Sequence, residues 1–168
     1  MEQQVSVGNI INRRIALSFI LIFFYACVFS QLKGKIIGVS DGDSVTLLDE
    51  KNQVFKIRLH GIDAPEKKQD YGTVSKNFLG DLIYDKMVWV KTNGLDRYGR
   101  TIGIIYLNEH MDGLSVNEKS LANGMSWHYK KYDKNVLWEK IEITAKENKL
   151  GLWKIPNPTP PWSFRGSN

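Results

Sequence analysis

Hydrophobic residues recur at strand-like spacing along the chain from residue 33 onward. Residues 33–48 carry β-branched side chains on both sides of Asp41-Gly42-Asp43, which is typical of a tight turn, so we expect a hairpin there. Between residues 54 and 60 apolar and basic side chains alternate, which predicts a half-buried strand whose Arg58 points away from the apolar face. Two further strands are predicted at residues 87–92 and 101–107, joined by a turn at 93–100.

Apolar residues spaced three and four apart mark two longer helices, predicted at residues 73–84 and 135–149. Between them, Ser115 followed by Glu118 is the signature of a capping box, so a shorter helix begins there and ends at Gly124. The order of elements is that of an α+β protein, a five-stranded OB-fold Greek-key β-barrel with about three peripheral helices. The tail from residue 155 is rich in proline, so we expect it to be extended, with its aromatic residues packed back on the domain.

The first thirty residues differ in character from the rest. Arg13-Arg14 precedes an apolar run over residues 15–29, which is typical of a secretory signal peptide cleaved before Gln31. The run is shorter than the roughly 20 residues that a spanning helix needs, so cleavage is favoured over a retained membrane anchor. We therefore expect a secreted or periplasmic domain over residues 31–168, with a membrane-anchored form as the alternative.

Cysteine content and net charge limit the kinds of site and ligand that the chain can have. The single cysteine, Cys27, lies in the signal region; lipid attachment there is a weaker alternative, because Phe24 is a poor residue three positions before a lipobox cysteine. Without residues 1–30, which contain two arginines and one glutamate, the formal net charge falls from +5 to +4. The exported domain has no disulfide and no cysteine-bound zinc, and its basic balance favours polyanions.

Three short sequences carry the candidate chemistry: residues 41–44, residues 58–66 and residues 96–100. Asp43 and Asp63, with Glu66 nearby, offer hard oxygen ligands for a divalent cation, and Arg58 and Arg100 offer planar forks for phosphoryl oxygens. Each residue alone has an ordinary structural explanation, since turn aspartates bond to backbone amides and strand arginines form surface ion pairs. Two turn aspartates at one barrel mouth would repel each other without a cation, which favours metal-assisted attack on a phosphodiester.

In order, spacing and residue type, these three sequences resemble the staphylococcal nuclease-like proteins, also called thermonucleases, over about residues 33–165. The resemblance implies Ca²⁺ held by Asp43, Asp63 and the main-chain carbonyl of Ala64, and it implies that barrel fold. It also implies three catalytic residues, which are Arg58, Glu66 and Arg100. Glu66 would orient or deprotonate the attacking water, and the two arginines would stabilise the transition state.

The resemblance implies substrate-binding positions as well. Arg97 and Tyr98 resemble the residues that grip the terminal phosphate of the substrate. Trp127 and Tyr129 lie on one side of a short predicted strand with His128 between them. Base stacking and core packing are equally good interpretations of these two aromatic residues.

Together these observations predict a calcium-dependent endonuclease that cleaves DNA and RNA, preferably single-stranded, with low sequence specificity and 3′-phosphate ends, acting as a monomer. The alternative is a non-catalytic nucleic-acid- or peptide-binding OB-fold module. It is disfavoured because the charged set expected of the enzyme is complete. The three histidines lack ligand spacing, and no P-loop or dinucleotide-binding glycine motif is present, so zinc, haem, nucleotide and dinucleotide sites are not expected.

Overall fold

The structure is a computed structural model that describes residues 31–166, so the predicted signal peptide lies outside the described residues. The strands within that range are β1 (Gln31–Asp41), β2 (Ser44–Asp49), β3 (Val54–Leu59), β4 (Ile62–Asp63), β5 (Met87–Leu95), β6 (Thr101–Tyr106) and β7 (Trp127–His128). The helices are α1 (Gly72–Ile83), α2 (Val116–Ala122), α3 (Val136–Glu147), a 3₁₀ helix (Gly151–Lys154) and α4 (Pro161–Gly166). Among these residues no helix has the length and apolar character needed to cross a membrane.

Five of the strands close into a barrel in the order β1-β2-β3-β6-β5. All neighbours are antiparallel except β3 and β6, which run parallel. Inward-facing side chains of all five barrel strands contribute to the core, among them the fully buried Ile36, Leu47, Ile57, Val90 and Ile105. The predicted α+β architecture with a five-stranded OB-fold barrel is therefore confirmed.

Local signals placed most element boundaries within two residues. The hairpin turn lies at Gly42-Asp43, as expected. At the start of α2 the Ser115 hydroxyl accepts a hydrogen bond from the Glu118 N–H, while the Glu118 carboxylate accepts one from the Ser115 N–H at 2.8 Å. This reciprocal pair is the predicted capping box.

Two boundaries differ from the predictions. The turn expected at residues 93–100 is shorter, because β5 continues to Leu95, which pairs with Thr101 after an irregularity in the ladder. The tail is not wholly extended: its last part forms α4, which begins at Pro161. Proline suits the first helical position, where its fixed φ is favourable and no N–H is needed.

Candidate active site

The hairpin turn between β1 and β2 is held close to the start of α1 and to the loop after β4. A Cβ atom on Gly42 would lie 2.7 Å from the Ala64 Cβ and 2.8 Å from the Ser75 Cβ, so only glycine fits. This close approach brings Asp43 to Ala64, whose N–H donates a 2.7 Å hydrogen bond to Asp43 Oδ2. The tight turn thus buries a carboxylate at the mouth of the barrel.

Arg58 joins the two predicted ligand carboxylates. Its Nη1 lies 2.8 Å from Asp43 Oδ2 and its Nη2 lies 2.7 Å from Asp63 Oδ1. Asp43 is 6% exposed and Asp63 is 1% exposed, so both carboxylates are buried. The fold therefore brings Asp43, Arg58 and Asp63 together, as the sequence motifs predicted.

The surroundings of the Asp43 carboxyl disfavour its ionised form. Burial, together with the nearby Asp41 carboxyl, raises the pKa of Asp43 to about 7 against the opposing effect of the Arg58 guanidinium. A buried carboxylate of this kind stays ionised at low free-energy cost only when more positive charge is near it. A cation placed close to Asp43 would therefore favour its ionised form.

Glu66 lies beside Asp63, and both carboxylates contact a guanidinium from the tail. Arg165 Nη2 lies 2.7 Å from Asp63 Oδ2, and its Nη1 lies 2.5 Å from Glu66 Oε1. The Glu66 backbone is fixed by a 2.8 Å hydrogen bond from its N–H to the Gln69 side chain. Glu66 is more open to solvent than the two aspartates, with its side chain 39% exposed.

Arg100 reaches the same pocket from the turn after β5. Its Nη1 lies 3.4 Å from Ser44 Oγ, and that hydroxyl donates a 3.1 Å hydrogen bond to Asp43 Oδ1. The Arg100 Nε–H donates a 2.6 Å hydrogen bond to Asp96 Oδ2. Asp96 Oδ1 also accepts hydrogen bonds from the backbone N–H groups of Tyr98 and Arg100. A single aspartate therefore stabilises the turn and orients the Arg100 side chain.

Sequence reasoning did not single out Asp96, Ser44 or Arg165 as site residues. Asp96 carried a usable signal, because an aspartate at the first position of a turn that contains Gly99 caps backbone N–H groups. Arg165 carried none, since its partners lie far away along the chain.

Arg97 and Tyr98 lie on the exposed turn that also carries Arg100. The Arg97 guanidinium carbon lies 4.8 Å from the centre of the Tyr98 ring, and that of Arg100 lies 5.8 Å from it. The ring of Tyr98, a residue that is 69% exposed, is thus flanked by two cations at the edge of the pocket.

The two aromatic candidates near β7 have different surroundings. Trp127 pairs with Asp63 between β7 and β4, is 6% exposed, and packs edge-on against Trp153 with ring centres 5.1 Å apart. Tyr129 is only partly buried, and the Trp162 ring lies parallel to it, with an interplanar angle of 2° and centres 5.2 Å apart. Core packing describes Trp127 in this structure, whereas one face of Tyr129 is covered by the tail.

The donor set fits a hard divalent cation such as Ca²⁺. Within residues 31–166 no group of three or more acidic, histidine or cysteine side chains is arranged to hold a metal by itself. The two buried carboxylates, Asp43 and Asp63, are hard oxygen donors of the kind that Ca²⁺ prefers, and Ca²⁺ can complete its shell with carbonyl oxygens and water. The Arg165 guanidinium on Asp63 and Glu66 is a cationic stand-in at the same oxygens.

Comparison with known proteins agrees with this geometry. Residues 56–155 match the family described as Staphylococcal nuclease homologue. The chain is 36% identical over 158 residues to an uncharacterized endonuclease of Haemophilus influenzae, and the aligned part covers 92% of this chain and 86% of that protein. It is 36% identical over 146 residues to an uncharacterized endonuclease of Escherichia coli O157:H7, and the aligned part covers 87% of this chain and 93% of that protein. It is 33% identical over 144 residues to a micrococcal nuclease of Shigella flexneri, covering 82% of each.

Proposed function

The chain belongs to the staphylococcal nuclease homologue family, and from this premise we propose that it is a calcium-dependent endonuclease. It hydrolyses phosphodiester bonds of DNA and RNA, preferably single-stranded, and leaves 3′-phosphate ends. The observation that carries the proposal is the Arg58 guanidinium bridging the buried Asp43 and Asp63, with Arg100 reaching the same pocket through Ser44. Carboxylates and guanidinium groups gathered in one pocket are the groups that phosphoryl transfer requires.

Asp43, Asp63 and the carbonyl oxygen of Ala64 would hold the cation. When bound, Ca²⁺ offsets the negative charge of the two carboxylates and polarises a phosphoryl oxygen. Glu66, the most exposed carboxylate of the set, would orient a water molecule or accept its proton. As that water oxygen bonds to phosphorus, the bond from phosphorus to the 5′-oxygen breaks, which leaves the phosphate on the 3′ side.

The two arginines bind and stabilise the phosphoryl group. The hydrogen bonds of Arg58 within the described residues use its Nη1 atom and one proton of Nη2. The Nε–H and the second Nη2–H therefore remain for two phosphoryl oxygens, and such a bidentate contact is strong and directional. Arg100 supplies a second guanidinium, which Asp96 orients.

Low sequence specificity follows from the kinds of contact available. Arg97 and Tyr98 at the pocket edge offer a charge and a ring face, and Tyr129 would offer another ring where Trp162 does not cover it. Contacts to phosphate and to base faces carry little base identity. The positive formal charge of the chain favours binding to any polyanionic strand.

The proposal includes export, because of the signal peptide predicted at residues 1–30, and a monomeric enzyme. Mass analysis of the protein recovered outside the cytoplasm checks export: a chain that begins at Gln31 supports cleavage, and one that begins at Met1 supports a retained anchor.

The test of function is digestion of single-stranded DNA by the purified protein with Ca²⁺ or with a chelator, followed by analysis of the product ends. We expect cleavage only with Ca²⁺. Arg58→Lys keeps the charge but loses the fork, so we expect kcat to fall about 100-fold while nucleotide binding changes little. Lys140→Arg, which likewise keeps the charge at an exposed residue on α3, is the matched control and should behave as the wild type. Nucleic-acid binding without cleavage under any condition would instead identify a non-catalytic binding module.

A further inference from the structure

The tail, which we define as residues 155–166, runs back over the candidate active site. Its Thr159 carbonyl accepts a 3.0 Å hydrogen bond from Gln69 Nε2, in the loop that also carries Glu66. Its Pro161 is buried, and its Trp162 and Arg165 each contact a residue already assigned to the site. The tail therefore touches the site at several separate points.

Arg165 occupies the oxygens that a cation would need. Both oxygens of Asp63 are bound by guanidinium groups: Oδ1 by Arg58 at 2.7 Å and Oδ2 by Arg165 at 2.7 Å. The second fork nitrogen of Arg165 lies on Glu66. A cation that uses Oδ2 of Asp63 cannot bind while Arg165 donates to the same atom, so the two compete directly.

Trp162 occupies a ring face that a nucleobase would need. Its ring is parallel to that of Tyr129 at a centre-to-centre distance of 5.2 Å, which is a direct stacking contact. No base can lie on this face of Tyr129 while Trp162 is there. The tail thus presents an aromatic ring where a base would stack and a cation where a metal would bind.

We propose that the tail is an autoinhibitory element, in which Arg165 on Asp63 and Glu66 and Trp162 on Tyr129 close the site until Ca²⁺ and nucleic acid displace them. This inference rests on the proposed function and concerns the regulation of the same site. It explains why a helix of only six residues ends a proline-rich tail above the carboxylates: the helix places one ring and one guanidinium on the same side.

The contacts of the tail are weak enough for Ca²⁺ and nucleic acid to displace them. The side chain of Arg165 is 43% exposed, and Trp162 is 38% exposed. The tail side chain in each contact is open to solvent, although its partner Asp63 is 1% exposed, and we expect the docked tail to be favoured by about tenfold. Docking of that strength raises the apparent dissociation constant for Ca²⁺ by about the same factor.

The test measures Ca²⁺ binding by calorimetry with the full chain and without nucleic acid. We expect Arg165→Gln to bind Ca²⁺ about 10-fold more tightly than the wild type. Trp162→Ala changes no charge, so a tightening of several-fold in that variant comes from loss of docking and not from a general electrostatic effect. Lys140→Gln also removes one positive charge, at an exposed position on α3, and should leave the dissociation constant for Ca²⁺ unchanged.

A second measurement follows the tail itself. We expect Ca²⁺ to change the tryptophan emission of the wild type as Trp162 leaves Tyr129, and we expect this component to be missing in Trp162→Phe. Thermal unfolding of each variant shows whether the fold is intact, and the phenylalanine variant keeps an aromatic side chain for that reason.

The outcomes separate this inference from the proposed function. Equal Ca²⁺ affinity in the wild type, Arg165→Gln and Trp162→Ala overturns the autoinhibitory tail and leaves the calcium site standing. Weaker binding in Arg165→Gln also overturns it and makes Arg165 a supporting residue of the site. Absence of Ca²⁺ binding in every protein, variants included, overturns the calcium assignment and the tail proposal with it.

Discussion

Gly72 is the point where α1 passes closest to the loop that carries Glu66. A Cβ atom on Gly72 would lie 2.1 Å from the Glu66 carbonyl oxygen and 2.9 Å from its carbonyl carbon. Real Cβ contacts essentially never fall below 3.0 Å, so Gly72→Ala forces the loop or the helix start to move by about 1 Å. A displacement of that size at a catalytic group costs about 100-fold in rate. The clash should also lower the free energy of unfolding by roughly 1–3 kcal/mol.

Gly80 in the same helix is the matched control. No atom lies within 4 Å of a Cβ built there, so Gly80→Ala introduces no clash. Alanine in a helix interior is more favourable than glycine, so the free energy of unfolding should rise by about 0.5–1 kcal/mol. The assay is kcat for Ca²⁺-dependent cleavage at saturating DNA, together with urea unfolding. Wild-type kcat in Gly72→Ala would refute the claim that this contact positions Glu66 for catalysis.

Two further predictions concern aspartates that hold other groups in place. Asp96→Asn removes the charged partner of Arg100 but keeps an oxygen for the turn, so kcat should fall about tenfold with little change in melting temperature. Burial raises the pKa of Asp133, but hydrogen bonds with the Asn135 N–H and with the His128 and His60 imidazoles lower it more, so the net shift is downward. Asp133 therefore stabilises the fold above its unfolded-state pKa and loses this effect as the pH falls through its lower folded-state pKa. Asp133→Asn should cost about 2 kcal/mol at pH 7 and flatten the acid side of the stability profile, measured by urea unfolding from pH 3 to 7.

The parts of the structure that follow from short-range patterns were predictable. The turn at Gly42-Asp43 and the capping box at Ser115 depend on residues within four positions of each other, and both appear where expected. The gathering of Asp43, Asp63 and Arg58 was predictable for a related reason. Asp43 and Arg58 belong to a hairpin and the strand next to it, where register is set by turn geometry and by the apolar pattern, and Asp63 follows Arg58 by 5 positions in β4.

The tail could not be predicted in the same way. Arg165 and Glu66 are 99 positions apart, and no periodicity or turn signal links them. Four closely spaced prolines indicate an extended chain, yet Pro161 begins a helix because the first helical turn tolerates proline. The ambiguity over Trp127 and Tyr129 has the same origin. Whether an aromatic face is open depends on what covers it, and here the cover is Trp162 from a distant segment.

The two guanidinium groups on Asp63 differ in how firmly they are held. This difference determines which of them a cation would displace. Arg58 is 16% exposed, lies in a barrel strand, contacts both buried aspartates and donates to the Leu59 carbonyl. Arg165 is 43% exposed and comes from a six-residue helix. Because ion pairs with more solvent access are weaker, the proposed displacement would remove Arg165 before Arg58 and open Oδ2 of Asp63 while Oδ1 stays paired with Arg58. The buried carboxylates therefore never lose all their positive partners, and the free-energy cost of opening the site stays small.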